Sequence, residues 1–209
     1  MNNSNKFKLS FQKQKQNLIV SADGEPFFTA YAPTVRKQGY ADSDELTGIE
    51  LANFRRRCLT EDYLRRAYYL LGIKDYAKAG LCKKLGDDAE IAQAVVDGLE
   101  RDGYLDDGAY AARRAAQLIS GKKMSEQTAV YTLAGEGVGL ETARSAVSDL
   151  GSDPKERITA LLEGRYRLKL QKEDGPKKVA QALSRLGFRW DDIKSALSQY
   201  TNGELENGD

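Results

Sequence analysis

The chain has 209 residues, of which 41% are hydrophobic and 30% are charged, and its net charge is +1. These values allow one large domain or two to three small ones, and they exclude the composition of a disordered chain. The sequence contains no histidine, the commonest general base and metal ligand. Two separate cysteines, Cys58 and Cys82, cannot form a zinc site alone and fit a reducing compartment. We therefore expect a protein without a metal or any other cofactor.

The amino-terminal segment and the apolar runs predict a cytoplasmic protein with no membrane segment. The start, MNNSNKFKLSFQKQKQ, lacks the apolar core of a secretory signal, and no apolar run approaches the roughly 18 residues of a membrane helix. Charge is spread unevenly, with an acidic excess in residues 59–107 and a basic excess in residues 153–200. Duplex-DNA-binding proteins usually carry a stronger overall basic excess. The balance therefore favours a protein partner or local basic patches.

Residues 7–35 have the pattern of β-strands. Apolar and polar residues alternate along the first run, FKLSF, and two further apolar runs follow it. Asp23-Gly24 between the last two runs is a strong signal for a hairpin turn. We predict a small antiparallel hairpin or meander that ends at Pro33.

The pattern then changes to that of helices. Ser43 or Asp44 is predicted to cap a short helix, and Thr60 is predicted to cap the next one. Asp153, followed by Pro154 at the first helical position, is predicted to cap a later helix. From residue 59 onward the chain is expected to be entirely helical.

From about residue 59 the sequence also repeats itself with a period near 50 residues. Apolar residues recur at matching positions and are predicted to form the core. Each copy carries a glycine before its last helix, so each is interpreted as a three-helix unit with a glycine turn. The matching apolar positions are Leu81, Ala129 and Val179; Leu85, Leu133 and Leu183; Ile91, Ala143 and Ile193; Ala94, Ala146 and Ala196; and Val95, Val147 and Leu197, and the glycines are Gly86, Gly137 and Gly187.

These units define the predicted domain organisation. A β-containing extension with a short helix, residues 1–58, precedes three-helix repeats at 59–106, 107–152 and 153–200, and the acidic tail 201–209 is predicted to be disordered. One unit is too small to bury a core comfortably, so neighbouring units are expected to stack. The predicted fold is mainly α: tandem three-helix repeats that form an elongated curved solenoid after a small amino-terminal β-hairpin or meander.

The segment GYLDD is interpreted as the structural junction between the first two units. Gly103 is predicted to end one helix, and Asp106 or Asp107 to cap the next. Tyr104 and Leu105 are apolar residues expected to pack across the junction. A catalytic role for the adjacent aspartates is disfavoured because no histidine or second acidic cluster accompanies them.

Several segments together resemble the RecX family of recombination regulators. They are LLGIKDYAKAGLCKKL, and GLERDGYLDD followed by AYAARRAA, within the three-unit helical repeat. At the amino end, FKLSFQKQKQNLIVSADGEPFF, TVRKQGY and DELTGIEL are similar to the β-containing extension of many members from Gram-positive lineages. The resemblance covers about residues 6–200. The chain departs from the family pattern at Gly80, where an acidic residue is common, and in TLAGEGVG, where Glu-Leu-x-x-Lys-Gly is favoured.

The resemblance implies a regulatory protein of DNA repair, homologous recombination and the SOS response that is not an enzyme. Its partner would be the filament that the RecA recombinase forms on single-stranded DNA, bound in the helical groove or at the growing end. Binding there would limit filament growth, strand exchange and ATP hydrolysis. We expect an inhibitor that acts as a monomer, and an elongated solenoid suits a partner of this kind.

Basic residues supply the candidate sites for binding the partner or DNA. They lie in the second helix of unit one, in unit two, and around the first two helices of unit three. Each cluster either contacts an acidic protein surface or DNA phosphates, or is an ordinary solvated helix face. The candidates are Lys83, Lys84, Arg113, Arg114, Lys122, Lys123, Arg165, Arg167, Lys169, Lys172, Lys177, Lys178, Arg185 and Arg189.

Two other functions fit the sequence less well. A helix-turn-helix regulator of duplex DNA is compatible with three-helix units, but the net charge is small and no unit has one distinctly basic recognition helix. An enzyme is disfavoured because the phosphate-binding Gly-x-x-x-x-Gly-Lys-[Ser/Thr], the Gly-x-Ser-x-Gly motif and metal-ligand spacings do not occur. Four aromatic residues are interpreted as core or junction residues and not as base-stacking platforms: Tyr68, Tyr69, Tyr104 and Trp190.

Overall fold

The structure is a computed structural model that describes residues 6–151 and 153–206. Its described part is mainly α-helical with a small amino-terminal antiparallel sheet, as predicted. The elements of the first part are β1 (Lys6–Gln14), β2 (Asn17–Ala22), β3 (Glu25–Tyr31), α1 (Ala32–Lys37), β4 (Glu45–Thr47) and α2 (Gly48–Ile73).

The sheet is a meander of three strands to which a fourth is added. Its strand order is β3-β2-β1-β4, and every neighbouring pair is antiparallel. Asp23 and Gly24 have left-handed φ angles of +52° and +86°, as a tight hairpin turn requires. The prediction missed β4, where Leu46 lies opposite Phe7 and is buried. Asp44 just before it accepts a hydrogen bond from the Leu9 N–H (2.8 Å), so this segment extends the sheet.

Helix α2 is one continuous helix where the sequence predicted two. Its N-cap is Thr47, whose hydroxyl accepts the Glu50 N–H while the Glu50 carboxylate accepts the Thr47 N–H. The predicted caps Ser43, Asp44 and Thr60 are therefore wrong. Thr60 lies inside α2 because no glycine or proline precedes it to interrupt the helix, and the boundary predicted after residue 58 falls within this helix.

The remaining helices follow in short steps. No helix within residues 6–151 and 153–206 is both long and apolar enough to cross a membrane. The helices are α3 (Lys78–Leu85), α4 (Ala89–Arg101), α5 (Asp107–Ala116), a π-helical turn (Gln117–Gly121), α6 (Glu126–Gly135), α7 (Leu140–Ser148), α8 (Pro154–Glu163), α9 (Arg167–Leu170), α10 (Gly175–Arg185) and α11 (Trp190–Glu206).

Contacts divide the chain into two compact units, which are not the predicted three-helix repeats. The terms first unit and second unit refer to these two compact units from here on. The first unit contains the residues up to Tyr76 together with Leu81–Leu105, and the second contains Ala77–Gly80 together with the chain from Asp106 onward. In the first unit, the sheet and α2–α4 share a single core. Phe54 of α2 packs edge-to-face on Phe28 of β3, with ring centroids 5.3 Å apart. Residues on both sides of the predicted 58/59 boundary therefore contribute to one core.

The second unit contains two buried clusters, one on α5–α7 and one on α8, α10 and α11. The repeated positions that begin at Leu81, Leu85 and Ile91 are buried in all three copies. The series that begins at Ala94 behaves differently, because Ala94 is exposed and Ala146 is half-buried. Helix α4 instead buries the opposite face, which carries Ile91, Ala92, Val95, Val96 and Leu99.

The predicted start of α8 is confirmed, whereas the predicted start of the disordered tail is not. Asp153 is the N-cap of α8 and accepts the Lys155 N–H (2.8 Å), as expected. The tail was expected to be disordered from residue 201, but α11 continues to Glu206, and residues 207–209 lie outside the described residues. A helix that is already nucleated extends by one hydrogen bond per residue, so a packed helix can continue into a polar segment.

Candidate partner-binding surfaces

A groove in the second unit brings together four of the basic residues that the sequence singled out. It has a volume of about 460 Å³. We call it the basic groove, and its lining residues are Arg165, Leu168, Lys169, Lys172, Gly175 and Lys178.

The basic groove forms because the chain turns twice between α8 and α10. After α8, Gly164 leaves helical geometry, and the buried Tyr166 donates its N–H to the Leu161 carbonyl (2.9 Å). Helix α9 is only four residues long, and a Cβ on Gly175 would collide with the Lys169 carbonyl oxygen. The charges of RYRLKLQK would spread around a continuous helix. The two turns instead place several of them along one groove.

The charges of the basic groove are largely available to a ligand. Lys178 lies 3.5 Å from the Asp174 carboxylate, at i and i+4 on an exposed surface, where ion pairs are weak. Within the described part of the chain, Lys169 and Lys172 have no ion-pair partner, and both are exposed. Several cations beside the exposed Leu168 suit an anionic ligand such as a carboxylate-rich protein surface or a phosphate backbone.

The other predicted basic residues are distributed over both units. Lys83 and Lys84 occupy the last turn of α3 in the first unit. Lys122 and Lys123 follow the π-helical turn, and Lys123 has a left-handed φ of +56°. The remaining exposed candidates of the second unit are Arg113, Arg167, Lys177, Arg185 and Arg189.

Arg114 is partly buried, and its charge is paired within the protein. Its guanidinium donates to the Glu136 carboxylate at 2.6 Å, and the Tyr110 hydroxyl donates to the same carboxylate at 2.9 Å. All three side chains are partly buried. The hydrogen bonds to Glu136 raise the pKa of Arg114 above its usual value. Arg114 therefore links α5 to the turn after α6.

The GYLDD segment joins α4 to α5 through local hydrogen bonds. Gly103 has a φ of +79°, and the Tyr104 N–H donates back to the Leu99 carbonyl (2.8 Å), which closes α4. Asp106 caps α5 by accepting the Ala109 N–H. Asp107 accepts the Lys78 N–H (2.7 Å) at the start of α3. Leu105 is buried, whereas Tyr104 is exposed.

The aromatic residues that were interpreted as core or junction residues are not in the core. Tyr68, Tyr69, Tyr104 and Trp190 are all exposed. Tyr68 and Tyr104 contact each other edge-to-face, with centroids 5.4 Å apart. Core placement was therefore wrong for all four residues, whereas Tyr104 lies in the junction between α4 and α5.

Sequence reasoning missed a second surface, a cleft of about 770 Å³ in the first unit. Strand β3 and helix α2 form its long walls, and the α3–α4 turn closes one side; we call it the β3–α2 cleft. Arg65, Arg66 and Tyr69 of α2 and Phe27 of β3 line it. The stretches RRAYY and FF were the available signals, but only the packing of α2 beside β3 brings them together.

Asp88 anchors the α3–α4 turn at this cleft. Its carboxylate caps α4 by accepting the Ile91 N–H (3.1 Å) and pairs with the Arg55 guanidinium (2.7 Å). The hydrogen bond from Ile91, followed by that from Arg55, holds the pKa of Asp88 below its usual value. Among residues 6–151 and 153–206, no group of three or more acidic or cysteine side chains could hold a metal ion.

Comparison with known proteins identifies relatives of the whole chain. No protein-family model matches it. It is 29% identical over 202 residues to the regulatory protein RecX of Clostridioides difficile (strain 630), and the match covers 93% of this chain and 95% of that protein. The resemblance to the RecX family that the sequence segments indicated is therefore confirmed.

Solved structures give the same result for the fold. A crystal structure of regulatory protein RecX aligns with a TM-score of 0.57 at 19% identity, covering 92% of this chain and 99% of that one. The crystal structure of RecX from Lactobacillus salivarius aligns with a TM-score of 0.53 at 17% identity, covering 68% and 96%. The chain thus has the fold of these RecX structures.

Proposed function

We propose that the protein is a non-enzymatic regulator of the RecA recombinase that binds the RecA filament on single-stranded DNA. The observation that carries this proposal is the likeness to a regulatory protein RecX, which extends over 93% of the chain. Regulation of recombination in the cytoplasm follows from that likeness. Inhibition is the expected direction, because a protein bound in the filament groove or at its growing end blocks strand exchange and further growth.

The basic groove is the proposed contact with the filament. Lys169 and Lys172 have no ion-pair partner among the described residues, so binding an acidic surface or a phosphate backbone would break no existing pair at these positions. Exposed charges of this kind act mainly through steering and orientation, and their contribution falls as salt rises.

We also propose that the second part of the chain is a tandem array of three-helix units. Two similar contacts support this arrangement. The turn at Gly137 packs on the start of α3, and the turn at Gly187 packs on the start of α6. If consecutive units use one mode of contact, the units form an elongated monomer that can span several RecA protomers.

Co-sedimentation tests the partner. The full chain is mixed with RecA filaments formed on single-stranded DNA with a non-hydrolysable nucleotide, and separately with naked single-stranded and duplex DNA. We expect pelleting with the filament and much weaker retention on either DNA alone. Retention on duplex DNA at physiological salt without any effect of RecA would instead favour a helix-turn-helix regulator.

Charge reversal tests the surface. Lys169→Glu with Lys172→Glu should weaken both filament binding and inhibition of the RecA ATPase. The matched control is Lys155→Glu with Lys194→Glu, which makes the same charge change on exposed residues of the same unit outside the groove. Equal effects of the two pairs would mean that only net charge matters. The same comparison with Lys122→Glu and Lys123→Glu examines the cluster after the π-helical turn.

Salt dependence separates DNA contact from protein contact. If the four cations of the groove contact phosphates of single-stranded DNA, log affinity should fall with log salt with a slope of about −3. A much flatter response would mean that the groove contacts the acidic surface of the protein partner.

A further inference from the structure

The β3–α2 cleft has no part in the proposed function, and its walls differ from those of the basic groove. One wall is β3, which forms one edge of the sheet, since among the described strands β2 alone neighbours it. An edge strand presents unpaired backbone N–H and C=O groups, which can pair with another chain.

The free backbone groups of β3 point into the cleft. The Ala32 N–H donates to the Gln16 carbonyl (3.0 Å), on the β2 side, whereas the Tyr31 N–H donates to Asp62 of α2 (2.6 Å), on the cleft side. Successive N–H groups of a strand point in opposite directions. The N–H and C=O of Thr29, which lies opposite Ile19 in the register, therefore face away from β2. Thr29 itself lines the cleft.

In the free protein, the side chain of Asp62 pairs with part of the edge of β3. Its carboxylate accepts the Tyr31 N–H through Oδ2 and the Thr34 hydroxyl through Oδ1 (3.0 Å). One position of the edge is thus satisfied by a side chain from α2. The next outward-facing position, Thr29, lacks such a partner among the described residues.

The side-chain walls of the cleft suit a peptide better than a nucleic acid. Three arginines line it, but three aspartates, Asp62, Asp87 and Asp88, line it as well. Asp62 is hydrogen-bonded to Tyr31 and Thr34, and Asp88 is paired with Arg55. Arg65 already lies 3.9 Å from the Asp62 carboxylate and over the Tyr31 ring. The exposed Arg66 remains to attract a carboxylate, and Phe27 and Tyr69 offer exposed apolar surface. Because the three arginines and three aspartates of the lining cancel in formal charge, the cleft suits a single carboxylate better than a row of phosphates.

The dimensions fit a short extended segment. From Arg55 to Tyr69, the α2 wall is about 20 Å long at 1.5 Å per residue. A β-strand rises about 3.3 Å per residue, so roughly six residues of an extended peptide span the cleft.

We propose that the β3–α2 cleft binds an extended peptide segment of a partner protein, which adds a fifth strand to the sheet at the edge of β3. Main-chain hydrogen bonds to Thr29 give the segment its register, and an acidic side chain of the peptide pairs with Arg66. An apolar side chain of the peptide rests on Tyr69 and Phe27. This site does not depend on the RecA proposal, because its tests use the protein and a peptide in the absence of RecA.

The first test is selection from a phage-displayed library of random dodecapeptides on the full chain. We expect enriched peptides in which β-branched or aromatic residues alternate and at least one residue is acidic. An enriched peptide is then synthesised with a fluorophore, and its affinity is measured by fluorescence anisotropy. A library that yields no enriched sequence would overturn the proposal.

The second test identifies strand pairing from the peptide side and leaves the protein unchanged. Each backbone amide of the synthetic peptide is N-methylated in turn. Methylation of amides that face β3 should reduce affinity by about tenfold, because the lost hydrogen bond leaves the Thr29 carbonyl unpaired. Methylation of the alternate amides should have little effect. Losses that do not alternate would rule out a strand added to this edge.

Protein variants locate the site. Arg66→Glu should reduce peptide affinity by about tenfold, whereas Arg56→Glu, an exposed residue of α2 that does not line the cleft, should leave it unchanged. Thr29→Pro removes an outward-facing N–H and should also abolish binding, with folding checked by circular dichroism. Displacement of the peptide by single-stranded oligothymidylate, together with an Arg66→Glu effect but no methylation pattern, would show a nucleic-acid site and contradict the proposal.

Discussion

Two glycine turns of the second unit have similar backbones but pack on different surfaces. Gly137 follows α6 and Gly187 follows α10, and their φ angles are +102° and +85°. A Cβ on Gly137 would lie 2.5 Å from the backbone nitrogen of Gly80. A Cβ on Gly187 would collide with the Thr128 hydroxyl and lie 2.5 Å from the Ser125 hydroxyl. A side chain on the first glycine would thus meet backbone atoms, whereas a side chain on the second would meet other side chains.

The type of neighbouring atom decides whether an added methyl group can be accommodated at each glycine. Side chains can rotate away from an added methyl group, whereas backbone atoms held in a helix cannot. The first contact also excludes a side chain from its other member, because a Cβ on Gly80 would collide with the Glu136 carbonyl oxygen.

A third turn, at Gly86, lies at the matching position of the first unit and behaves differently again. Gly86 does not have a positive φ, and a Cβ there would collide with the Tyr63 hydroxyl of α2. The same hydroxyl accepts the Asp88 N–H (3.2 Å). The glycine turn recurs with the sequence period, but the surface that it meets depends on the neighbouring elements.

The largest effect is expected for Gly137→Ala, which should destabilise the second unit by about 3 kcal/mol. The reason is the sum of left-handed backbone strain and a clash with the backbone of Gly80. Trp190 is the single tryptophan and lies in the second unit, so its fluorescence during urea unfolding reports on this unit. The control is Gly151→Ala, whose φ is +54° and whose added Cβ would have no non-adjacent atom within 4 Å among the residues that the structure describes. The Gly151→Ala variant should lose only about 1–2 kcal/mol of unfolding free energy. Equal losses would mean that the contact with Gly80 has no energetic role.

Gly187→Ala should destabilise the second unit less, by about 2 kcal/mol, because the Thr128 side chain can rotate. In a double-mutant cycle with Thr128→Ala, the double variant should recover about 0.5–1 kcal/mol of the loss, since removing the hydroxyl opens space for the new methyl group. The free energies come from the same urea titrations. Strict additivity of the two substitutions would show that Thr128 is not the residue that the turn contacts.

The turn of the first unit should make the stability of that unit depend on pH through Asp88. Because the folded-state pKa of Asp88 is lowered, its contribution to stability is present above the unfolded value of about 4 and is lost as pH falls through the lower folded value. Asp88→Asn keeps a good helix cap but removes the ion pair with Arg55, so it should lose about 0.5–1 kcal/mol at pH 7 and little near pH 2. The exposed Asp102→Asn serves as the control. If Asp88→Asn left the pH dependence of the unfolding free energy unchanged, Asp88 would not be the group responsible for it.

The smallest expected effect is on the thiol of Cys58, which reports on the first unit alone. Burial raises its pKa to about 12, so at pH 8 it should not react with Ellman's reagent, whereas the half-buried Cys82 should react. In Gly137→Ala the Cys58 labelling rate should stay at the wild-type value. A faster rate in that variant would mean that the two units unfold together and that the turns cannot be compared independently.

The candidate surfaces show how far residue types alone can lead. Four of the predicted basic residues line one groove, but the sequence could not separate them from Arg114, which Glu136 neutralises from 22 residues away. The β3–α2 cleft was missed altogether, since its arginines and aromatic residues come from α2 and from β3. Charge is visible in a sequence. Which charges already have a partner is visible only after folding.

The sequence by itself determined the local features of this protein. Asp106 and Asp153 cap helices, and Gly103 ends one, because each of these roles depends on the backbone of a few neighbouring residues. Tertiary structure decided what depends on residues far apart in the chain: the passage of α2 through Thr60 and the contact of Gly80 with Gly137. A local pattern records the preference of a segment for a conformation, but packing selects the surface that the segment meets.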